Sequence, residues 1–108
     1  MKPYPPTLMD NDRYIQFTVH SDKKFKQADV WKAIYKIAKE NIGLKGIADA
    51  NLALIDFNET EQKGLIRTNT KSIYIVKGVT SMLAEIESTP AFIQTLRVTG
   101  TIKKSRGV

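Results

Sequence analysis

Alternation of apolar and polar residues predicts a strand near the start of the chain. Within Arg13–His20, the residues Ile15, Phe17 and Val19 alternate with more polar neighbours, and a period of two is typical of a strand with one buried face. From about Lys26 to Ile42 the apolar residues recur at helical spacing, which predicts an amphipathic helix. Its apolar stripe comprises Val30, Ile34, Ile37, Ala38 and Ile42.

A turn and a hairpin are expected after this helix. Gly43 suits the position just beyond a helix end, and Gly43 and Gly46 are expected to bracket the turn. The segment Ala50–Phe57 is apolar and strand-like, and the polar segment Asn58–Lys63 is expected to form a hairpin loop. Gly64–Asn69 is predicted to be the third strand and to form the second strand of this hairpin.

A second helix is predicted over roughly Lys71–Glu87, with Thr70 as its cap. Its first half is the weaker part of the prediction, because it contains β-branched residues and Gly78. The segment Leu83–Ile86 is the better helix former, and Ser88-Thr89-Pro90 ends the helix. The predicted stripe comprises Ile73, Val76, Val79 or Thr80, Leu83 and Ile86.

The order of these elements predicts a fold class. Ala91–Ile102 alternates again, so the full order is β-α-β-β-α-β, the α+β ferredoxin-like arrangement that the RNA-recognition motif also has. A four-stranded antiparallel sheet is expected, with the first and third strands in the middle. Both helices would cover one face of the sheet and leave the other open. This open sheet face is expected to carry Tyr14, Gln16, Thr18, Leu65, Arg67, Ile93, Thr95 and Arg97, and the opposite face Phe92, Leu96 and Val98.

The chain length of 108 residues predicts a single domain over residues 13–102. A Pro-rich arm over residues 1–12 is expected to precede it, because Pro3, Pro5 and Pro6 oppose regular structure. A basic tail over residues 103–108 is expected to follow it.

Composition favours a polyanionic partner. The chain has 17 Lys and Arg against 11 Asp and Glu, a net charge of +6, and a pI of about 9.6. It has no cysteine, which excludes disulfides and thiolate metal sites. No apolar run is long enough for a membrane span and the start of the chain lacks a secretory signal, so a cytoplasmic protein with no membrane partner is expected.

Candidate catalytic residues are sparse. His20 is the only histidine, which excludes sites with two histidine ligands, and no Gly-rich phosphate loop is present. Asp10 and Asp12 fall in the expected arm, where preorganised catalysis is hard to build. Asp56 ends a predicted strand and Glu59 and Glu61 lie in the expected hairpin loop, where turn and solubility roles are expected. The sequence therefore predicts no catalytic residue and no metal ligand in the protein.

The expected open sheet face matches the RNA-binding sheet of the RNA-recognition motif only in part. That motif stacks bases on aromatic residues of its first and third strands, whereas the segment after Lys63-Gly64 offers Leu65, Ile66 and Thr68. Tyr14 is the one aromatic residue expected to be available for stacking. Sequence-specific reading of bases is therefore not expected, and contacts to the RNA backbone remain the alternative.

Three segments carry a resemblance to a known family. They are Pro5-Pro6-Thr7-Leu8 leading into Arg13-Tyr14-Ile15, then Gly64-Leu65-Ile66-Arg67, then Leu96–Lys104. In this order and at these distances the chain resembles the small RNase P protein subunit of archaea, called component 2, whose eukaryal relatives serve RNase P and RNase MRP. Two positions depart from the family pattern, since Met9 stands where a basic residue is usual and Thr99 where Ser is usual.

The resemblance implies a subunit that is not catalytic by itself. It implies binding to the RNase P RNA and precursor tRNA, beside a larger TIM-barrel-like protein subunit, with homodimerisation inside a heterotetramer as one arrangement. The RNA and the Mg²⁺ that it binds would remove the 5′ leader of precursor tRNA, with no cofactor in the protein. The residues expected to bind RNA are Arg67, Arg97, Lys103, Lys104, Arg106 and Arg13, and those expected to contact the protein partner are Tyr14 and Leu65.

Two alternatives stay open at this point. One is a ribosome-associated RNA-binding protein, which would use the same electrostatics. The other is a small enzyme or ligand-binding domain of acylphosphatase or regulatory type on the same topology. The acylphosphatase version is disfavoured because His20–Lys24 contains no glycine with which to build an anion-binding loop.

Overall fold

The computed structural model describes residues 12–100 as an α+β fold with two helices and five strands. The arm up to residue 11 and the tail over residues 103–108 lie outside the described residues. The elements are β1 (Asp12–Ser21), α1 (Gln27–Ala50), β2 (Ala53–Asn58), β3 (Lys63–Asn69), α2 (Ile73–Ser81), β4 (Glu85–Ile86) and β5 (Thr89–Thr99). Between residues 12 and 100, neither helix has the length and apolarity that a bilayer crossing requires.

The sheet has five antiparallel strands in the order β2-β3-β1-β5-β4. The expectation of four strands is wrong, because the two-residue strand β4 pairs with the outer side of β5. The expectation that the first strand and the strand after the hairpin loop lie inside the sheet is confirmed. One sheet face packs with the buried residues of both helices into a single core cluster.

The predicted alternation of β1 is confirmed by its burial. Ile15 and Phe17 are fully buried and Val19 nearly so, and all three belong to the core cluster. The apolar stripe of α1 packs on them: Val30, Ile34 and Ala38 are buried, and Ile37 and Ile42 are partly buried against the cluster. The remaining buried apolar residues of the cluster are Phe25, Ile47, Ala50, Leu52, Phe57, Ile66, Val76, Val79, Leu83, Ile86, Ala91 and Ile93.

Helix α1 extends beyond its predicted end. Gly43 adopts φ 73° and ψ 174°, which kinks the helix, and helical structure then resumes and runs to Ala50. The turn expected between Gly43 and Gly46 is therefore wrong, although the break at Gly43 itself was expected. Gly46 has no room for a side chain, because a Cβ there would lie 2.7 Å from Ile42 Cβ. The helix ends at Asn51, whose φ of 54° is left-handed, a conformation that Asn tolerates.

The second half of the predicted second helix is a β-hairpin. Helix α2 ends at Ser81, and Ile86 pairs with Thr89 across a loop formed by Glu87 and Ser88 alone. Both loop residues have positive φ, 52° and 64°, as a type I′ turn requires. The helix prediction is wrong here because Leu83 and Ile86, whose spacing suits a helix, are buried in the core while the chain forms a hairpin.

A β-bulge in β5 moves several side chains to faces other than those predicted. Phe17 pairs with Thr95 and Gln16 with Arg97, so Leu96 is the extra residue. Ile93 and Thr95 therefore lie on the helix side, and Ile93 is buried in the core. Their placement on the open sheet face was wrong, whereas Arg97 lies on that face as predicted.

Candidate functional site

The open sheet face is formed by the outward side chains of β1, β3 and β5. Strand pairing arranges them in rows, because residues directly opposite one another on antiparallel strands share a face. The rows are Arg67–Tyr14–Thr99, Leu65–Gln16–Arg97, Lys63–Thr18–Gln94 and His20–Phe92.

These rows carry cations and no carboxylate. Lys63, Arg67 and Arg97 are the charged residues in them, and the nearest acidic residues along the same register are Asp12 and Asp56 at the margins. Because Lys63, Arg67 and Arg97 outnumber these two carboxylates, the face carries a net positive charge. Such a surface suits a polyanion.

Arg67 is held in place by a neutral partner. Its Nε donates a hydrogen bond to the backbone oxygen of Asn51 and its Nη2 donates to the Oδ1 of Asn51, both at 3.2 Å. Asn51 is itself fixed by the end of α1, where its left-handed conformation terminates the helix. The guanidinium is therefore oriented while its positive charge stays available, because an amide does not neutralise it.

Arg97 and Lys45 show the difference between an available and a locally paired cation. Arg97 is exposed on the open sheet face, beside the bulge of β5. Lys45, on α1, donates a hydrogen bond of 2.9 Å to the carboxylate of Asp49. This hydrogen bond and the charge of Asp49 raise the pKa of Lys45 above its usual value. The charge of Lys45 is thus balanced within its own helix.

An aromatic pair occupies one corner of the open sheet face. The rings of His20 and Phe92 stack with centroids 4.8 Å apart and an interplanar angle of 22°. The ring nitrogen Nε2 of His20 lies 2.8 Å from Oε1 of Gln94, within hydrogen-bonding distance. Phe92 is 56% exposed. The sequence predicted Phe92 on the helix side, because alternation alone does not reveal the bulge at Leu96. The pairing of Phe92 with His20 places it on the open sheet face.

The residues expected to contact a protein partner lie on this same face. Tyr14 is half-buried and lies opposite Arg67 in the register. Leu65 is only 4% exposed, although it does not belong to the core cluster. Leu65 therefore has little accessible surface in this conformation. The structure brings Tyr14, Leu65, Arg67 and Arg97 together, and their roles in binding remain predictions.

Arg13 lies apart from the other candidate cations. It is opposite Thr68 in the register, on the helix side of β1, and its Nη1 donates a 2.7 Å hydrogen bond to the backbone oxygen of Asp12. Its guanidinium is near Gly100, at the end of β5. Lys103, Lys104 and Arg106 lie outside the described residues.

Within residues 12–100 no three His, Asp or Glu side chains come together in a way that could hold a metal ion. The only histidine is engaged with Phe92 and Gln94. Asn58 in the hairpin loop accepts hydrogen bonds from the backbone of Thr60 and Glu61, so it serves the turn. What the described residues offer chemically is a surface that combines cations with an aromatic pair.

The chain resembles known proteins over most of its length. The sequence model of the Rpp14/Pop5 family matches residues 13–107. The chain is 38% identical to a Pyrococcus furiosus protein over 95% of its own length and 86% of the relative's, and 36% identical to a Thermococcus kodakarensis protein over 93% and 83%. Both relatives are called ribonuclease P protein component 2.

A solved structure shares the fold at low sequence identity. A chain in the cryo-EM structure of yeast ribonuclease MRP matches with a TM-score of 0.67 and 12% identity, over 94% of this chain and 79% of that one. At this identity the match speaks for the fold alone. The family match over most of the chain and the identities above 30% are decisive: the chain belongs to the Rpp14/Pop5 family.

Proposed function

We propose that this chain is a non-catalytic protein subunit of ribonuclease P, which binds and stabilises the catalytic RNA during removal of 5′ leaders from precursor tRNA. Relatives that share more than a third of its residues bear the name of that subunit. The observation that carries the proposal is the open sheet face, on which Lys63, Arg67 and Arg97 outnumber the carboxylates of Asp12 and Asp56. Family membership favours this function over a ribosome-associated or acylphosphatase-like role.

The proposed mechanism is electrostatic. Compact folding of a catalytic RNA brings phosphates together, and each cation placed between them offsets part of their repulsion. Arg67 is suited to this task because its hydrogen bonds to Asn51 orient it in advance. Arg97 supplies a second, exposed guanidinium in the neighbouring row of side chains. In this proposal Arg13, Lys103, Lys104 and Arg106 add to the same field.

The aromatic corner adds a contact of a different kind. The Phe92 ring is 56% exposed and stacks on His20, which lies within hydrogen-bonding distance of Gln94. An unpaired base would stack on this ring whatever its identity, because every base has a π-face. Phosphate contacts by Arg97 and base stacking by Phe92 would together hold a single-stranded segment along β5.

The metal chemistry is assigned to the RNA. The reaction in this proposal is carried out by the RNA with its bound Mg²⁺, beside a larger TIM-barrel-like protein subunit, in the cytoplasm. The chain contributes a surface that lowers the concentration of Mg²⁺ needed to fold the RNA, because protein cations replace part of the counterion screening.

Reconstitution tests the proposal. Precursor-tRNA cleavage is measured with the RNase P RNA and the larger protein subunit, with and without this chain, across a Mg²⁺ titration. The expected result is cleavage at lower Mg²⁺ when the chain is present. Cleavage by the chain alone, or an unchanged Mg²⁺ requirement, would overturn the proposal.

A further inference from the structure

A groove lies at the corner of the sheet where β1 ends and β5 begins. Its volume is about 690 Å³, which is in the range of sites that hold small organic ligands. The stacked rings of His20 and Phe92 line it, together with Asp22 and the apolar residues Leu83 and Pro90. We name it the corner groove. Its lining combines an aromatic surface with one carboxylate.

Hydrogen bonds hold the walls of the corner groove in place. The Ser21 hydroxyl donates a hydrogen bond of 2.7 Å to the backbone oxygen of Pro90, which ties the end of β1 to the start of β5. The same hydroxyl oxygen accepts a hydrogen bond of 3.4 Å from the backbone N–H of Lys23. Asp22 lies between Ser21 and Lys23 in the chain, so its backbone is positioned before a ligand arrives.

The carboxylate of Asp22 is available to a ligand. Asp22 is exposed, and among residues 12–100 it forms no ion pair and accepts no hydrogen bond. The charged residues at positions 22–24, in the neighbouring row and in the β4–β5 hairpin are Asp22, Lys23, Lys24, Lys63, Glu85 and Glu87. Three lysines balance three carboxylates, so these surroundings do not repel a phosphate, while Asp22 can still accept hydrogen bonds.

An aromatic surface beside a carboxylate suits one nucleobase in particular. Stacking on Phe92 accepts any base, whereas a carboxylate distinguishes bases by the donors on their edges. Guanine presents two parallel donors, N1–H and N2–H, which match the two oxygens of a carboxylate. Adenine and cytosine place a ring nitrogen acceptor beside their amino group, and uracil has one N–H between two carbonyl oxygens. Each of these three bases therefore sets an acceptor against Asp22.

We infer that the corner groove binds an unpaired guanine of the RNA, with the base stacked on Phe92 and the Asp22 carboxylate accepting hydrogen bonds from N1–H and N2–H. The inference rests on the proposed function, since that function supplies the RNA, and it adds base selectivity to the stacking contact. The expectation of no base-specific reading concerned Tyr14 and Leu65, toward the other end of β1. One selected guanine fixes the register of the single-stranded segment along β5.

Oligonucleotides that differ in one base test this inference. Short labelled uridine oligonucleotides carry a central guanine, inosine or adenine, and their affinity for the full chain is measured by fluorescence anisotropy. The guanine oligonucleotide is expected to bind about tenfold more tightly than the adenine one, as a bidentate contact allows. Inosine lacks the 2-amino group of guanine, so its oligonucleotide is expected to bind with intermediate affinity.

Removing the acceptor is the decisive variant. Asp22→Ala is expected to bind the guanine oligonucleotide no more tightly than the adenine one, with unchanged thermal unfolding because Asp22 is exposed. The matched control Glu85→Ala changes the net charge equally at an exposed carboxylate of β4, and it is expected to keep the preference for guanine. Phe92→Ala is expected to weaken the binding of all three oligonucleotides.

Three results would overturn the inference and leave the proposed function standing. They are equal binding of the three oligonucleotides by the wild-type chain, loss of the guanine preference in Glu85→Ala but not in Asp22→Ala, and binding of guanosine monophosphate as tight as that of the guanine oligonucleotide. Failure of the proposed function would look different, since the wild-type chain would then bind neither these oligonucleotides nor the RNase P RNA. That result overturns both statements.

Discussion

The open sheet face and the outer face of α2 differ in almost every property that selects a partner. The sheet face carries Lys63, Arg67 and Arg97, which outnumber its carboxylates, and α2 with the residue after it carries the exposed apolar side chains of Tyr74, Ile75 and Met82. On the sheet, Arg67 is fixed by two hydrogen bonds. On α2, a side chain is missing at Gly78, where a Cβ would meet no atom within 4 Å.

The difference shows that the two sides of this chain suit partners of different chemistry. Cations attract phosphates over long range and in a salt-dependent manner, whereas apolar surface is buried only by a shape that fits it. The two kinds of surface lie on opposite sides of the sheet. The predictions below separate the two surfaces, beginning with the largest expected effect.

Reversing the charges of the sheet face is expected to have the largest effect. In the double variant R67E/R97E, repulsion replaces attraction at two positions, so the affinity for the RNase P RNA is expected to fall roughly 100-fold at moderate salt. Filter binding across a salt titration measures it.

The matched comparison is between Arg97→Glu and Lys45→Glu, which change the net charge equally, the second at a lysine already paired with Asp49. Lys45→Glu is expected to change RNA affinity much less than Arg97→Glu does. Equal losses in these two single variants would show that only total charge matters, and that the open sheet face has no special role.

Removing the exposed ring of the aromatic corner is expected to have the next largest effect. Phe92→Ala abolishes the stacking surface, and stacking of one base on an aromatic side chain contributes about 1–3 kcal/mol. The expected result is weaker binding of single-stranded RNA with an unchanged salt slope, since no cation is lost. A steeper or shallower slope would argue against stacking as the contribution of Phe92.

Releasing Arg67 from its support is expected to have a smaller effect. Asn51→Gly keeps the left-handed backbone at the end of α1 and removes the side-chain amide that accepts from Arg67 Nη2. We expect RNA affinity to fall by a factor of about 5, because the lost hydrogen bond contributes about 1 kcal/mol to orienting the guanidinium. Thermal unfolding should change little. An unchanged RNA affinity would show that Arg67 needs no orientation by Asn51.

The smallest effect on binding is expected at the β4–β5 hairpin. Glu87 and Ser88 hold positive φ angles that Asn-Gly adopts more readily. The double variant E87N/S88G is therefore expected to raise the free energy of unfolding by about 1 kcal/mol, measured by urea denaturation. Neither RNA affinity nor affinity for the larger subunit should change.

Much of the fold was predictable because its patterns are local. The alternation of β1 and the helical stripe from Val30 to Ile42 both correspond to buried faces in the structure. The hairpin at Glu87-Ser88 escaped prediction because its two turn residues are not Asn or Gly, and their conformation is imposed by pairing between β4 and β5. The end of α1 escaped it because helical structure resumes after the kink at Gly43.

The candidate site was predictable only in part, for a related reason. Arg67 and Arg97 were expected on one face and lie there, since β3 and the end of β5 keep the register that alternation predicts. Phe92 lies on the far side of the bulge at Leu96, which reverses the faces of all residues before it. The support of Arg67 by Asn51 depends on a tertiary contact between α1 and β3, which no local pattern contains.

The central claim is that cations fixed on the open sheet face stabilise the folded catalytic RNA. The most direct measurement is the Mg²⁺ dependence of precursor-tRNA cleavage by the RNase P RNA and the larger subunit, reconstituted with either the wild-type chain or R67E/R97E. The account predicts that the variant assembles with the larger subunit and requires more Mg²⁺ for half-maximal cleavage. Identical Mg²⁺ curves for the two chains would contradict it.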